Sequence, residues 1–352
     1  MRFENLPEIR RRLLNWYDRV HRDLPWRRSR DPYAIWIAET MLQQTQVATV
    51  VPYFERFLRS IPTIQALHHA PLSRVLALWS GLGYYQRAVN LKQAARNIMV
   101  QHKGRVPDDY ETLLSLPGVG DYTAGALMSI AFGRRFPAVD GNSLRVLSRH
   151  FGLSKKKAVR DIAARLVPRL RPGYFNQGLM ELGATVCLPQ KPRCHDCPIA
   201  SDCQTRVNKR RSNGPRVSKK RTQRNVIWPL LIVRNRGAFL LRLRSLNDVL
   251  PCLWEFPGGE TTEKPRAMLK RELRSLGAAV DDLRPIGEIR HSITDRKIRA
   301  PLFLVNLPES ATLRLPRSCW RWVSRSSLYR YPVSSMTLKA ARALANYEKD
   351  FS

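Results

Sequence analysis

The apolar pattern of this 352-residue chain changes once, and that change imposes two architectures on it. From Pro7 to about residue 186, apolar residues recur at intervals of three and four, as over 72–79, 88–99 and 161–170, with short polar breaks. Such spacing turns one face of each successive helix into a core. Beyond the break, VIWPLLIV, AFLLRLR and PLFLVNL are short apolar runs bounded by Gly, Pro and Asn, which read as strands. Helical stretches over 265–276 and 335–346 accompany them. The expectation is a multidomain chain: an all-α domain over 1–205, a connector over 206–224, and an α+β domain over 225–352. Length agrees, because single cores usually stop growing near about 250–300 residues.

The connector RVNKRRSNGPRVSKKRTQR carries nine basic residues and no acidic one. It reads as a linker, either merely solvated or also touching phosphates. The whole chain has a net charge of +33, a field that attracts polyanions and makes nucleic acid the leading partner. No apolar run reaches the ~20 residues that cross a bilayer, and the first twenty residues lack an apolar core with a cleavage site. The expectation is a soluble, cytoplasmic, DNA-associated chain without a targeting peptide or a membrane partner.

Cys187, Cys194, Cys197 and Cys203 fall within seventeen positions, directly after the helical segment NQGLMELGATV, whereas Cys252 and Cys319 stand alone. In a reducing compartment so tight a group holds metal rather than disulfides. Four-cysteine zinc sites usually pair two C-x2-C units across a longer stretch, so the x6-x2-x5 spacing favours an iron-sulfur cluster over zinc. With four thiolates no coordination position is left open, and the default role is structural.

Two acids stand out. Glu39 lies among Ile35, Ile37, Met41 and Leu42, where burial would raise its pKa and keep it protonated near neutral pH; a structural Glu paired with an Arg is the plainer reading. Asp140 precedes an apolar-periodic segment, where a helix N-cap is the plainer explanation when the residue is taken alone. Together, one protonated and one ionised carboxylate are what cleavage of a glycosidic bond requires. In LPGVGDYTAGA, Gly118 and Gly120 are spaced to turn one helix into the next through a tight hairpin whose backbone N–H groups face outward, a geometry that suits a phosphate.

The strings ETMLQQTQV, LWSGLGYYQRAVNL, LPGVGDYTAGA and VDGN, with the cysteine loop, resemble the MutY family of adenine DNA glycosylases, in the helix-hairpin-helix, iron-sulfur branch shared with endonuclease III. The resemblance runs from Trp16 to about residue 340. It implies a base-excision-repair enzyme that hydrolyses the N-glycosidic bond of adenine opposite 8-oxoguanine or guanine in double-stranded DNA, acting as a monomer with one 4Fe-4S cluster on the four cysteines. Glu39 would protonate N7 of adenine and Asp140 would stabilise or capture the sugar cation. Asn142 would orient Asp140, and Tyr122 would hydrogen-bond to the carboxylates. Gln44 and Tyr84 would fill the gap left by the extruded base. Trp26, Arg27, Leu42 and Gln177 would line the adenine pocket, and Arg193 and His195 would present charge to DNA. Relatives that also cut the strand have a lysine where this chain has Tyr122; a phenol cannot form the Schiff base, which implies a monofunctional glycosylase.

Residues 226–345 resemble the Nudix-like carboxy-terminal domain of the same family, through WEFPGGE and KRELRSLG. A working Nudix hydrolase needs a cluster of glutamates for magnesium, of which only Glu272 remains, so the domain reads as one that binds rather than hydrolyses. The family's Phe-Ser-His lesion-reading loop is matched here by Ile293, Thr294 and Asp295. Thr294 keeps the hydroxyl, Ile293 an apolar wedge, and Asp295 an acceptor for the exposed 2-amino group of 8-oxoguanine. The alternatives are another iron-sulfur glycosylase of the helix-hairpin-helix type, or a mismatch-specific DNA-binding protein without catalysis.

Overall fold

Helices follow one another up to residue 207, as the spacing of apolar residues requires. The computed structural model describes residues 5–207 and 223–350, apart from 246, 247, 250, 279, 281, 294 and 317. Most of the basic connector and Thr294 therefore lie outside the described residues. The elements before it are α1 (Leu6–Val20), α2 (Pro32–Leu42), α3 (Val47–Ser60), α4 (Ile64–His69), α5 (Leu72–Trp79), α6 (Gln86–Gln101), α7 (Tyr110–Ser115), α8 (Asp121–Ala126), α9 (Gly141–Phe151), α10 (Lys156–Leu166), α11 (Pro172–Thr185) and α12 (Gln204–Val207). Asp31, Asp109 and Asp140 cap α2, α7 and α9 by accepting backbone N–H bonds of the first turn, which satisfies donors that a helix start leaves orphaned. The 161–170 periodicity belongs to α10, which begins earlier and ends at Leu166, ahead of Pro168.

The chain divides into two compact units, one of residues 1–69 with 90–218 and the other of residues 70–89 with 219–352. In the first, α1, α9, α10 and α11 bury Leu13, Tyr17, Leu147, Ile162, Phe175 and Leu179 against one another. The helix α8 runs straight into a π-helical turn, Leu127–Ala131. Gly125 lies where any Cβ would come within 2.1 Å of the Pro137 carbonyl oxygen, so only glycine lets that strand of chain cross the helix.

The second unit carries β1 (Arg224–Ile227), β2 (Leu230–Asn235), β3 (Ala238–Leu243), β4 (Trp254–Glu255), α13 (Pro265–Ser275), β5 (Arg284–Ile293), β6 (Arg296–Asn306), β7 (Trp320–Ser324) and α14 (Ser335–Asp350). The run VIWPLLIV becomes two strands because Pro229 has no N–H to give the ladder; both pair in parallel with β6, while β5 and β6 form an antiparallel hairpin. One face of the sheet buries Trp228, Ile232 and Phe256 with Met336, Ala340 and Leu344 of α14. The other buries Leu231, Val233 and Phe303 with Leu269 and Leu273 of α13. Both faces being covered explains why the strands read as continuous apolar runs rather than alternating ones.

Candidate active site

Glu39 sits on the last turns of α2, a helix buried from Tyr33 to Met41. Its carboxylate is 4% exposed, and Tyr122 Oη donates to Glu39 Oε2 at 2.5 Å. The Tyr122 hydroxyl also lies 3.6 Å from the Met180 sulfur. Burial pushes the Glu39 carboxyl up to about 7, the Tyr122 bond opposes that rise, the nearby Asp140 charge adds to it, and Arg27 opposes it. Among the described residues no arginine hydrogen-bonds to Glu39; its donor is a phenol whose own proton is held firmly by burial and by Glu39 and Asp140. Such a carboxyl keeps its proton at the pH where an unperturbed glutamate has lost it.

Asp140 is the N-cap of α9 and belongs to the same electrostatic neighbourhood. Ser143 N–H donates to Asp140 Oδ1 at 2.7 Å and Asn142 Nδ2 donates to Asp140 Oδ2 at 2.9 Å. Asn142 is fixed in turn: Arg145 Nη2 donates to its Oδ1 at 2.9 Å and to the Gly183 carbonyl at 2.6 Å, and Arg145 Nε donates to the Cys187 carbonyl at 2.8 Å. The cap and the second acid are thus one residue. Gly183 of α11 makes the arrangement possible, because a Cβ there would fall 2.6 Å from Asn142 Cβ and 2.9 Å from its backbone. Gly183→Ala is expected to displace Asn142 and the first turn of α9, with a loss of about 1–3 kcal/mol typical of overpacking and a larger proportional loss of single-turnover rate; thermal melting and quenched-flow kinetics on the same preparation check both.

Around these acids the other candidates divide. Arg27 faces Glu39 electrostatically, stacks over Tyr17 at 5.4 Å, and donates to Glu181 Oε2 at 2.8 Å. Gln177 Oε1 accepts from Tyr17 Oη at 2.9 Å. Arg27, Tyr17 and Gln177 line a cavity of about 330 Å³ together with His21, Arg171 and Tyr174. Glu181, absent from the residues that the resemblance implies, is 1% exposed and clamped by Arg22 and Arg27; burial pushes its carboxyl up, but the two guanidiniums outweigh this and hold it low. A glutamate on the inward face of an apolar helix, seven residues after Tyr174, was the available signal. Trp26 is packed edge-on against Phe54 in the core, and Leu42 is half-buried at the end of α2.

Gln44 and Tyr84 are both exposed with left-handed backbones, φ 58° and 50°. Non-glycine residues held there carry strain that clusters at functional sites. Tyr84 lies in the second unit. At the hairpin between α7 and α8, Gly118 has φ 79° and a Cβ there would meet Asn90 Cβ at 2.8 Å, while Gly120 is extended and caps α8.

All four clustered cysteines are free and line one cavity of about 580 Å³. Burial pushes the Cys197 thiol up to about 11, with Cys187, Cys203 and Cys194 adding to the rise, so the four sulfurs share one neighbourhood. Among the described residues no three His, Cys, Asp or Glu side chains converge as a single metal ion needs. Arg149 Nη1 lies 3.4 Å from Cys187 Sγ. Arg193 and His195 are exposed on the same loop, His195 paired with Asp196 at 3.3 Å.

In the second unit Ile293 ends β5 and is 9% exposed, packed in the sheet core, because the strand's alternation turns it inward. Asp295, half-buried in the turn, accepts from Arg296 Nη1 at 3.1 Å and takes the Arg224 N–H on its carbonyl. Glu272 is tied to Arg242 Nη1 at 3.2 Å, and Arg242 with Arg244 also holds the fully buried Glu255. Two guanidiniums thus take up the acids at this place.

A family model described as HhH-GPD superfamily base excision DNA repair protein matches residues 37–172, and a NUDIX domain model matches residues 229–343. The adenine DNA glycosylase of Rattus norvegicus is 35% identical, the match covering 97% of this chain and 78% of that protein. The adenine DNA glycosylase of Buchnera aphidicola subsp. Acyrthosiphon pisum is 37% identical over 74% of this chain and 77% of its own. Among solved structures, a thermostable thymine-DNA glycosylase is similar with a TM-score of 0.55 and 34% identity, over 58% of this chain and 98% of that one. With a glycosylase-type helical unit, a Nudix-type sheet, and similarity along nearly its whole length to such enzymes, the chain belongs to the adenine DNA glycosylase family of base excision repair.

Proposed function

We propose that this chain removes adenine mispaired with 8-oxoguanine or guanine from duplex DNA, as a monofunctional glycosylase. The observation that carries the reading is the buried Glu39, held near pKa 7 within the field of Asp140 and bonded to Tyr122. A protonated Glu39 donates to the leaving base, and the Asp140 carboxylate, held by Ser143 and Asn142, faces the cation that develops on the sugar. Tyr122 has no amine with which to form a covalent sugar adduct. The net charge of +33 supports a duplex partner. The test is to incubate the protein with A:8-oxoguanine and A:G duplexes and measure free adenine. Adenine release without a borohydride-trapped protein–DNA adduct is expected; no release from either duplex would leave a mismatch-binding protein.

Cys187, Cys194, Cys197 and Cys203 would hold one 4Fe-4S cluster. Four cysteines lining a single cavity and spaced x6-x2-x5 fit a polynuclear centre better than zinc, whose four-cysteine sites usually pair two C-x2-C units. When bound, the cluster supplies a cross-link through four thiolates. The chain's own contribution is the guanidinium of Arg149 against Cys187 Sγ and the bond from Arg145 to the Cys187 carbonyl. Protein purified without oxygen is expected to contain about four irons and four acid-labile sulfides per chain; one zinc per chain and no sulfide would overturn the assignment.

A further inference from the structure

The loop that bears Tyr84 is fastened to the same compact unit as the β5–β6 hairpin. Ser80 Oγ donates to the Val333 carbonyl at 2.8 Å and Tyr85 Oη donates to that same oxygen at 3.3 Å. The Tyr85 hydroxyl also accepts the Gly81 N–H at 3.1 Å. Two side chains that bracket the loop therefore converge on one carbonyl. Inside the bracket the backbone is left-handed at Gly81, Gly83 and Tyr84, and the Gly83 carbonyl accepts from Trp79 Nε1 and Arg87 Nη2. So wound a loop keeps its shape only when fixed at several points.

Val333 is itself an anchored residue. It is 1% exposed, bridges in parallel to Trp254, and follows Pro332, whose carbonyl accepts the Trp254 N–H at 2.8 Å. Ser334 caps α14 through Thr337 N–H at 3.1 Å. From there α14 reaches β5: Ser335 Oγ lies 3.4 Å from His291 Nε2, and Lys339 Nζ donates to the Arg290 carbonyl at 3.0 Å. His291 is two residues from Ile293, where β5 enters its turn.

We propose that Ser80 and Tyr85 are positioning residues that fix the Tyr84 loop to the start of α14, so that the DNA-filling tyrosine and the β5–β6 turn hold one register and respond together to the base opposite the adenine. This rests on the proposed function and on the family resemblance, which implies that Tyr84 fills the gap left by the extruded base and that the second unit reads the lesion.

The test uses full-length, cluster-containing protein with Ser80→Ala, Tyr85→Phe and the double change, and Ser80→Thr as the variant that keeps a hydroxyl. Amide hydrogen exchange over residues 80–85 is expected to quicken in the double variant and to stay near wild type in Ser80→Thr. In single-turnover assays the rate on A:G is expected to stay within about twofold, while the preference for A:8-oxoguanine over A:G falls about tenfold, the scale of two modest hydrogen bonds. Unchanged exchange, or an equal loss on both duplexes, would overturn the clamp. Quickened exchange in the variants of an enzyme whose wild type shows no preference would leave the clamp standing as a mechanical fact and sink the lesion-reading function it is proposed to serve.

Discussion

Glu39→Gln is expected to bind duplex DNA as the wild type does and to release adenine at least ~100-fold more slowly, since general acid catalysis typically contributes 10²–10⁴. The change is nearly isosteric, and the amide oxygen can still accept the Tyr122 hydroxyl that now bonds to Glu39 Oε2. What disappears is the acidic proton. The wild-type rate should accordingly be highest below about 7 and fall as pH rises through that value, because burial keeps the Glu39 proton up to about there. The same shift has a sign for stability. A carboxyl raised above its ordinary value holds a proton in the folded state that the unfolded chain gives up, so its contribution is present below the unfolded value and is lost as pH rises through about 7. In Glu39→Gln both limbs should flatten. Gel-shift affinity, single-turnover adenine release and melting across pH 5 to 9 check this; near-normal turnover would remove Glu39 from the mechanism.

What could be read from the sequence, and what could not, follows from how each feature is encoded. The change from helices to strands after the cysteine loop was legible because periodicity changes there, and β3, α13 and α14 lie where their apolar runs predicted them. The strands β4 and β7 were not read, since a two-residue strand and a Trp-Arg-Trp segment present no apolar run. Glu39 was conspicuous as an acid in an apolar helix. Glu181, which is more completely buried, bears the same mark on α11, but its partners Arg22 and Arg27 lie some 150 positions away, and no local pattern shows so distant an ion pair. Ile293 shows a related limit: its string reads as a hairpin turn, but a strand's alternation continues to its last residue, and the core claimed the side chain. The grouping of 70–89 with the carboxy-terminal residues depends on contacts such as Ser80 to Val333, which no helical periodicity contains.

Asp140→Asn separates the two readings of Asp140 that its position in the sequence allowed. As an N-cap, Asp140 accepts the Ser143 N–H through Oδ1, and asparagine caps helices about as well as aspartate. If capping were its whole purpose, the variant would melt and turn over like the wild type. The second oxygen shows why it should not: Oδ2 accepts from Asn142, itself held by Arg145, so the carboxylate is fixed at both oxygens beside the raised Glu39. Replacing Oδ2 by an amide sets one NH2 against another and removes the charge that would face the sugar cation. In a site closed to water, loss of a preorganised electrostatic partner costs roughly 10²–10³ in rate. The expected result is therefore a folded protein with nearly unaltered melting and at least ~100-fold slower adenine release. Asp140→Ser, which keeps a capping oxygen and no charge, should fall on the same side. Full activity in both would return Asp140 to the helix cap alone and leave the sugar cation to some other group.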